Sequence, residues 1–102
     1  METFNIYGGP GPAVFSTTDE TLAIYTLNSL NNYSRNIAGL GKRYSLEVGE
    51  RIAMNTFKVT FTYRNGNSDC AFCRSMEIAV RCVNRAYEVV GAEIVGVTIQ
   101  FQ

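Results

Sequence analysis

The chain has 102 residues, 46% of them hydrophobic and 18% charged, with nine basic and nine acidic side chains and no histidine. That is the profile of a globular chain with one core, without the charge excess and hydrophobic poverty of disorder, and it gives no net charge to attract nucleic acid or an anionic membrane. The lack of histidine removes the commonest general base and a common metal ligand, and no run approaches the ~18 apolar residues of a membrane span.

One domain over residues 1–102 is expected. "METFNIYGGPGP" carries no basic stretch followed by an apolar one, so no signal peptide is read there. Three cysteines, an odd number, do not read as a disulfide framework. A cytoplasmic, reducing setting follows as the expectation.

Phe4 and Ile6 alternate with Thr3, Asn5 and Tyr7, which predicts a short strand. Gly8-Gly9-Pro10-Gly11-Pro12 ends it as a loop. The glycines do not make a phosphate cradle, because proline has no N–H to offer an anion and no Lys-Ser/Thr follows. Ala13 to Phe15 reads as a brief extended piece. "STTDETLAIYTLNSLNNYSRNIAGLG" predicts a helix opened by a Thr17/Glu20 capping box and closed at Gly39 or Gly41. Its apolar positions are Ala23, Leu27, Leu30 and Ile37, with Tyr33 beside them. Asn28, Asn31, Asn32 and Asn36 fall on the expected outer face.

Residues 43–48 alternate as a strand through Tyr44, Leu46 and Val48, with Gly49-Glu50 as a turn. Phe57, Val59, Phe61 and Tyr63 alternate with Lys58, Thr60, Thr62 and Arg64 in the clearest strand of the chain, closed by Asn65-Gly66. A second helix is expected from Ser68 to Val90, with Phe72, Met76, Ala79, Val83, Ala86 and Val90 as its buried stripe. Gly91 stops it, and Val95, Val97, Ile99 and Phe101 mark a last strand. No internal repeat is visible. The order predicts an α+β, ferredoxin-like β-α-β-β-α-β fold, with two helices on one face of an antiparallel sheet.

"CAFC" admits three readings. A thiol redox pair, Cys70 and Cys73, fits the start of a helix after a strand, where the dipole lowers a thiolate pKa. It lacks the further strands and facing proline of a thioredoxin core. A zinc site needs four ligands, against three cysteines and no histidine, and a continuous helix separates Cys73 from Cys82. The structural reading is favoured: Ser68 or Asp69 caps the helix, Cys70 lies in its exposed first turn, and Cys73 packs as a small hydrophobe beside Val80 and Tyr87. No cofactor or metal is expected.

Arg74, Arg81 and Arg85 share one face of this helix. They read either as a solvated row supported by Glu77 and Glu88, or as a basic strip for phosphates or an acidic partner. Ile78, Cys82 and Val89 form an offset apolar strip suited to a partner protein or a second copy. Asn31, Asn32 and Tyr33 on the first helix, with Tyr25, also suit protein contact. An RNA-recognition sheet is disfavoured, because "NTFKVTFTY" lacks the basic-Gly-aromatic signature and turns its aromatics toward the helices.

No nucleophile, base and oxyanion donor occur together, so a non-enzymatic interaction module is expected. In size and layout, the segment "FKVTFTY…SDCAFCRSMEIAV…GAEIVGVTIQF" resembles accessory proteins of phages and mobile elements, including anti-CRISPR inhibitors of bacterial defence. The resemblance implies one-to-one blocking of a bacterial protein, without a cofactor. A small nucleic-acid-binding protein using Arg74, Arg81 and Arg85, and a thiol redox protein using Cys70 and Cys73, are the alternatives.

Overall fold

The computed structural model describes residues 2–34, 43–49 and 56–102. Its strands are β1 (Phe4–Tyr7), β2 (Phe15–Thr17), β3 (Ser45–Val48), β4 (Phe57–Tyr63), β5 (Ser68–Cys73) and β6 (Ile94–Phe101), and its helices α1 (Glu20–Asn32) and α2 (Met76–Val90). A 3-10 turn, Gly91–Glu93, joins α2 to β6. Ile37, Asn36, Gly39, Gly41 and Glu50 lie outside the described residues.

The protein is a small α+β domain whose six strands form one mixed sheet in the order β2-β1-β3-β5-β4-β6. β1 runs antiparallel to both β2 and β3, so β2 and β3 are parallel with β1 between them, and α1 connects them. β4 likewise runs antiparallel to β5 and β6, which α2 connects. Each half of the chain is therefore a hairpin, a helix and a strand, that is, a split βαβ unit. The two units meet at a parallel seam of β3 against β5, with Leu46 opposite Ala71.

This corrects the ferredoxin-like expectation. That layout interleaves two split units in four antiparallel strands, whereas here each unit keeps its own middle strand and the units stand side by side. The strands missing from the four-strand reading are β2 and β5. A repeat invisible in the residues is thus present in the topology.

Both helices lie on one face of the sheet and touch each other; α1 covers β1, β2, β3 and β5, and α2 covers β4, β5 and β6. Period-two alternation sends Phe4, Ile6, Leu46, Val48, Val59, Phe61, Ala71 and Cys73 under them. Ala23, Ile24 and Leu27 meet these residues from α1, and Ala79, Cys82 and Ala86 from α2. Each large member stabilises the fold by ~1.5–3 kcal/mol through burial.

Helix starts differ from expectation at both ends of the chain. The N-cap of α1 is Asp19, whose carboxylate accepts from the Leu22 N–H at 3.2 Å, while Thr17 Oγ1 accepts from Asp19 N–H instead of completing a capping box. The N-cap of α2 is Ser75, accepting from the Ile78 N–H at 3.2 Å. Residues 68–73 are strand rather than helix. Gly66, at φ +89°, turns the chain back at Asn65-Gly66, and the Asn67 N–H bonds the Asn65 side chain. This is hairpin chemistry, and it delays the helix until Ser75.

The helical stripe is rotated as a consequence. Phe72 lies on the sheet face opposite the helices, and Met76 is largely exposed. Cys82 takes the centre of the buried face, flanked by the partly buried Ile78 and Val89. The strip assigned above to an outward partner surface is therefore the inner face of α2.

Candidate functional site

The CAFC stretch loses its redox geometry in this fold. Cys73 is buried under the helices, while Cys70 faces the other side of the sheet, near Thr60 at 3.9 Å. Strand alternation points the two thiols away from each other, so they do not form a C-x-x-C pair. Cys73 instead neighbours Cys82, which packs over it from α2 in the same buried core. The neighbouring Cys73 and burial push the Cys82 thiol well up, so it stays protonated at neutral pH. The separation of Cys73 and Cys82 expected from one continuous helix does not hold, because Cys73 precedes α2.

The three arginines are also placed, and their charges are met. Glu2 lies between Arg81, at 2.5 Å, and Arg74, at 3.8 Å. Glu20, in the first turn of α1, receives Arg81 Nε at 3.5 Å and Arg85 Nε at 3.6 Å, and Arg85 also bonds Glu88 at 2.9 Å. The Glu2 hydrogen bond pushes the Arg81 pKa further up. Glu2, Glu20, Arg81 and Arg85 border an open groove of about 500 Å³ between α1 and α2. Three guanidiniums matched by three carboxylates make a neutral clasp between the helices. That arrangement gives a phosphate backbone little excess charge to follow.

The asparagines of α1 turn inward. Asn31 is buried; its Nδ2 donates to Asp69 Oδ1 at 2.6 Å and to the Tyr44 carbonyl at 3.1 Å, and its Oδ1 accepts the Tyr44 N–H at 2.7 Å. Asn28 Nδ2 and the Tyr63 hydroxyl donate to Asp69 Oδ2 at 3.3 and 2.6 Å. Asn32 accepts from Asn67 at 3.2 Å and donates to Asn28 at 3.1 Å. Burial, then the neighbouring Asp69 charge, pushes the Tyr63 hydroxyl far above its ordinary range. The network satisfies a buried carboxylate and pins α1 to the β4–β5 hairpin. Of the contact residues expected on this helix, Tyr33 is exposed, whereas Asn31 and Asn32 are engaged inside.

Exposed large apolar side chains occur at Val14 and on the α1 side, at Leu22, Tyr25 and Tyr33, and a larger group lies on α2 and β6. Met76, Val80 and Tyr87 of α2 are 47%, 46% and 48% exposed, and Val95 and Phe101 of β6 are 56% and 66% exposed. At 100° per residue, Met76, Val80, Val83 and Tyr87 fall on the side of α2 away from Arg81 and Arg85. Because those arginines reach α1, the apolar row faces the other way, over β6. Val97 and Ile99, partly buried, fill the strip between helix row and strand. Beginning α2 at Ser75, as the Asn65-Gly66 hairpin signal requires, would have put this row outside the buried stripe from sequence.

β6 pairs with β4 on one side, and among the described residues no strand pairs with its other edge. It is eight residues long and carries neither charge nor proline. No helix among the described residues is long and apolar enough to cross a membrane. No protein-family model, curated protein or solved structure matches the chain.

Proposed function

We propose that the protein is a non-enzymatic protein-interaction module whose working surface is the apolar row of α2 together with the free edge of β6. One observation carries this reading: of the nine exposed large apolar side chains among the described residues, five belong to α2 and to the edge strand β6 beside it, while Val14, Leu22, Tyr25 and Tyr33 lie elsewhere. A group of exposed apolar side chains beside a strand edge with no pairing strand among the described residues is costly in water and characteristic of a contact surface. Inhibition of a bacterial protein, the role implied by the resemblance to phage accessory proteins, would be one use of such a surface. Nucleic-acid binding is the weaker reading because Arg74, Arg81 and Arg85 are engaged by Glu2, Glu20 and Glu88. Thiol redox chemistry is weaker because Cys70 and Cys73 face opposite sides of β5.

The test is photo-cross-linking with a benzophenone amino acid at position 87, in cells, against the same group at Arg64. Protein adducts formed from position 87 and not from position 64 are expected. Equal adducts from both positions, or none from position 87, would overturn the reading.

A further inference from the structure

We infer that the first occupant of this surface is a second copy of the chain, joined through antiparallel β6–β6′ pairing about a dyad at Thr98. The inference rests on the reading of the α2–β6 side as a contact surface and names its partner.

The internal repeat shows what this side lacks. With the two helix caps superposed, Asp19 on Ser75, Met76 stands where Glu20 does, Val80 where Ile24, Val83 where Leu27 and Tyr87 where Asn31. In the first unit Ile24, Leu27 and Asn31 are buried and Glu20 meets Arg81 and Arg85. The seam likewise covers the outer edge of β3 with β5. In the second unit nothing among the described residues pairs with the outer edge of β6, and Met76, Val80 and Tyr87 of the corresponding helix row are exposed. The second unit thus presents the side by which the first is joined to its neighbour.

The residues of β6 select the register. Gln102 N–H donates to the Thr56 carbonyl at 2.8 Å, so Gln102, and by alternation Gln100 and Thr98, direct their main-chain groups toward β4. Val97, Ile99 and Phe101 direct theirs outward. An antiparallel partner centred on Thr98 places Val97 opposite Ile99′ as a hydrogen-bonded pair, and brings Val95, which the register shift at Thr62/Tyr63 leaves without a β4 partner, beside Phe101′ at the end of the ladder. The two most exposed apolar residues of the strand then cover each other. Gly96 meets Gln100′ and Thr98 meets Thr98′ on the face away from the helices.

No like charges meet across this dyad, because β6 has no charged residue and the arginines of α2 lie on its α1 side. The Met76–Val80–Tyr87 rows of the two copies approach each other above the paired strands. The competing arrangement, head to tail onto β2′, offers only the three residues Phe15–Thr17 and does not close.

The experiment combines light-scattering mass with cross-linking of Thr98→Cys in a Cys70→Ser background. Non-hydrogen-bonded antiparallel neighbours lie close enough for a disulfide, so mild oxidation by a low-molecular-weight disulfide should link most of the chains as dimers. The chain lacking Thr98→Cys should run at twice 11.3 kDa, and Val80→Glu with Phe101→Lys should return it to monomer with its circular dichroism unchanged. A monomer at every concentration, a dimer that Thr98→Cys does not link, or growth into species larger than dimers would overturn the inference. If the chain is monomeric while position 87 still cross-links another protein, the dimer fails and the interaction module stands.

Discussion

Tyr63 and Asp69 face each other across the β4–β5 hairpin on its helix-covered side, and the phenol donates a 2.6 Å hydrogen bond to the carboxylate. Asn28 and Asn31 complete the site from α1, so one acidic side chain ties together three elements. Asp69→Asn keeps the volume but turns an amide donor toward other donors. Its urea midpoint should fall by an amount equivalent to about 2 kcal/mol, the cost of leaving buried groups unsatisfied. An unchanged midpoint would show that the network does not hold α1.

The same contact makes stability depend on alkaline pH. The folded-state pKa of Tyr63 lies far above the 10.0 of the free side chain. Below that ordinary value both states are protonated, so its contribution is fully present. Above pH ~10 the unfolded chain releases the proton and the folded chain does not, which costs about 1.4 kcal/mol per pH unit. Denaturant titrations between pH 9 and 11 should show this fall. Tyr63→Phe should start less stable at pH 7 but lose stability with a shallower slope.

The cysteines should behave as three separate cases of burial. Cys70→Ser is expected to be nearly neutral, since its side faces away from the helices. Cys73→Ser and Cys82→Ser place hydroxyls in the apolar centre and should each lower stability by ~1–3 kcal/mol. Native-state thiol titration with an aromatic disulfide reagent should find one fast-reacting group, and three after denaturation. Fast reaction of Cys73 in the folded protein would contradict its position.

Reversing Arg81 and Arg85 to glutamate is not a neutral surface change. Glu20, only 9% exposed at its side chain, would then face like charges in place of two ion pairs. The solvent-exposed arginines limit the effect, so a loss on the order of 1–2 kcal/mol is expected, easing with added salt. Thermal denaturation at two ionic strengths measures it. Identical melting of mutant and parent would mean that the helix clasp contributes nothing.

How far the residues foretell this arrangement varies by element. β4 is legible because Val59, Phe61 and Tyr63 alternate with polar neighbours and are large enough to mark the covered face. β5 is obscure because its inward residues are Asp69, Ala71 and Cys73, a carboxylate and two small groups, while the bulky Phe72 points the other way. Hydrophobicity therefore reads Phe72 as the start of the α2 stripe and rotates the helix by about one residue. The asparagines of α1 mislead for a related reason: their partners come from β5 and from Tyr44, which composition does not bring near. For the surface, Tyr87 and Phe101 are visible as residues, but their place on the same side of the domain follows only from β6 lying at the sheet edge beside α2.

The parallel seam carries a consequence for how the chain melts. A unit of roughly 45 residues sits near the size at which a core alone ceases to sustain a fold. Neither hairpin-helix-strand half buries enough without the other, and Leu46 against Ala71 together with the Glu20 clasp joins them. The two halves are thus mutually dependent, and loosening the seam removes the support of both. Heat or urea should take them apart in one cooperative transition, with a probe on α1 and a probe on α2 reporting the same midpoint.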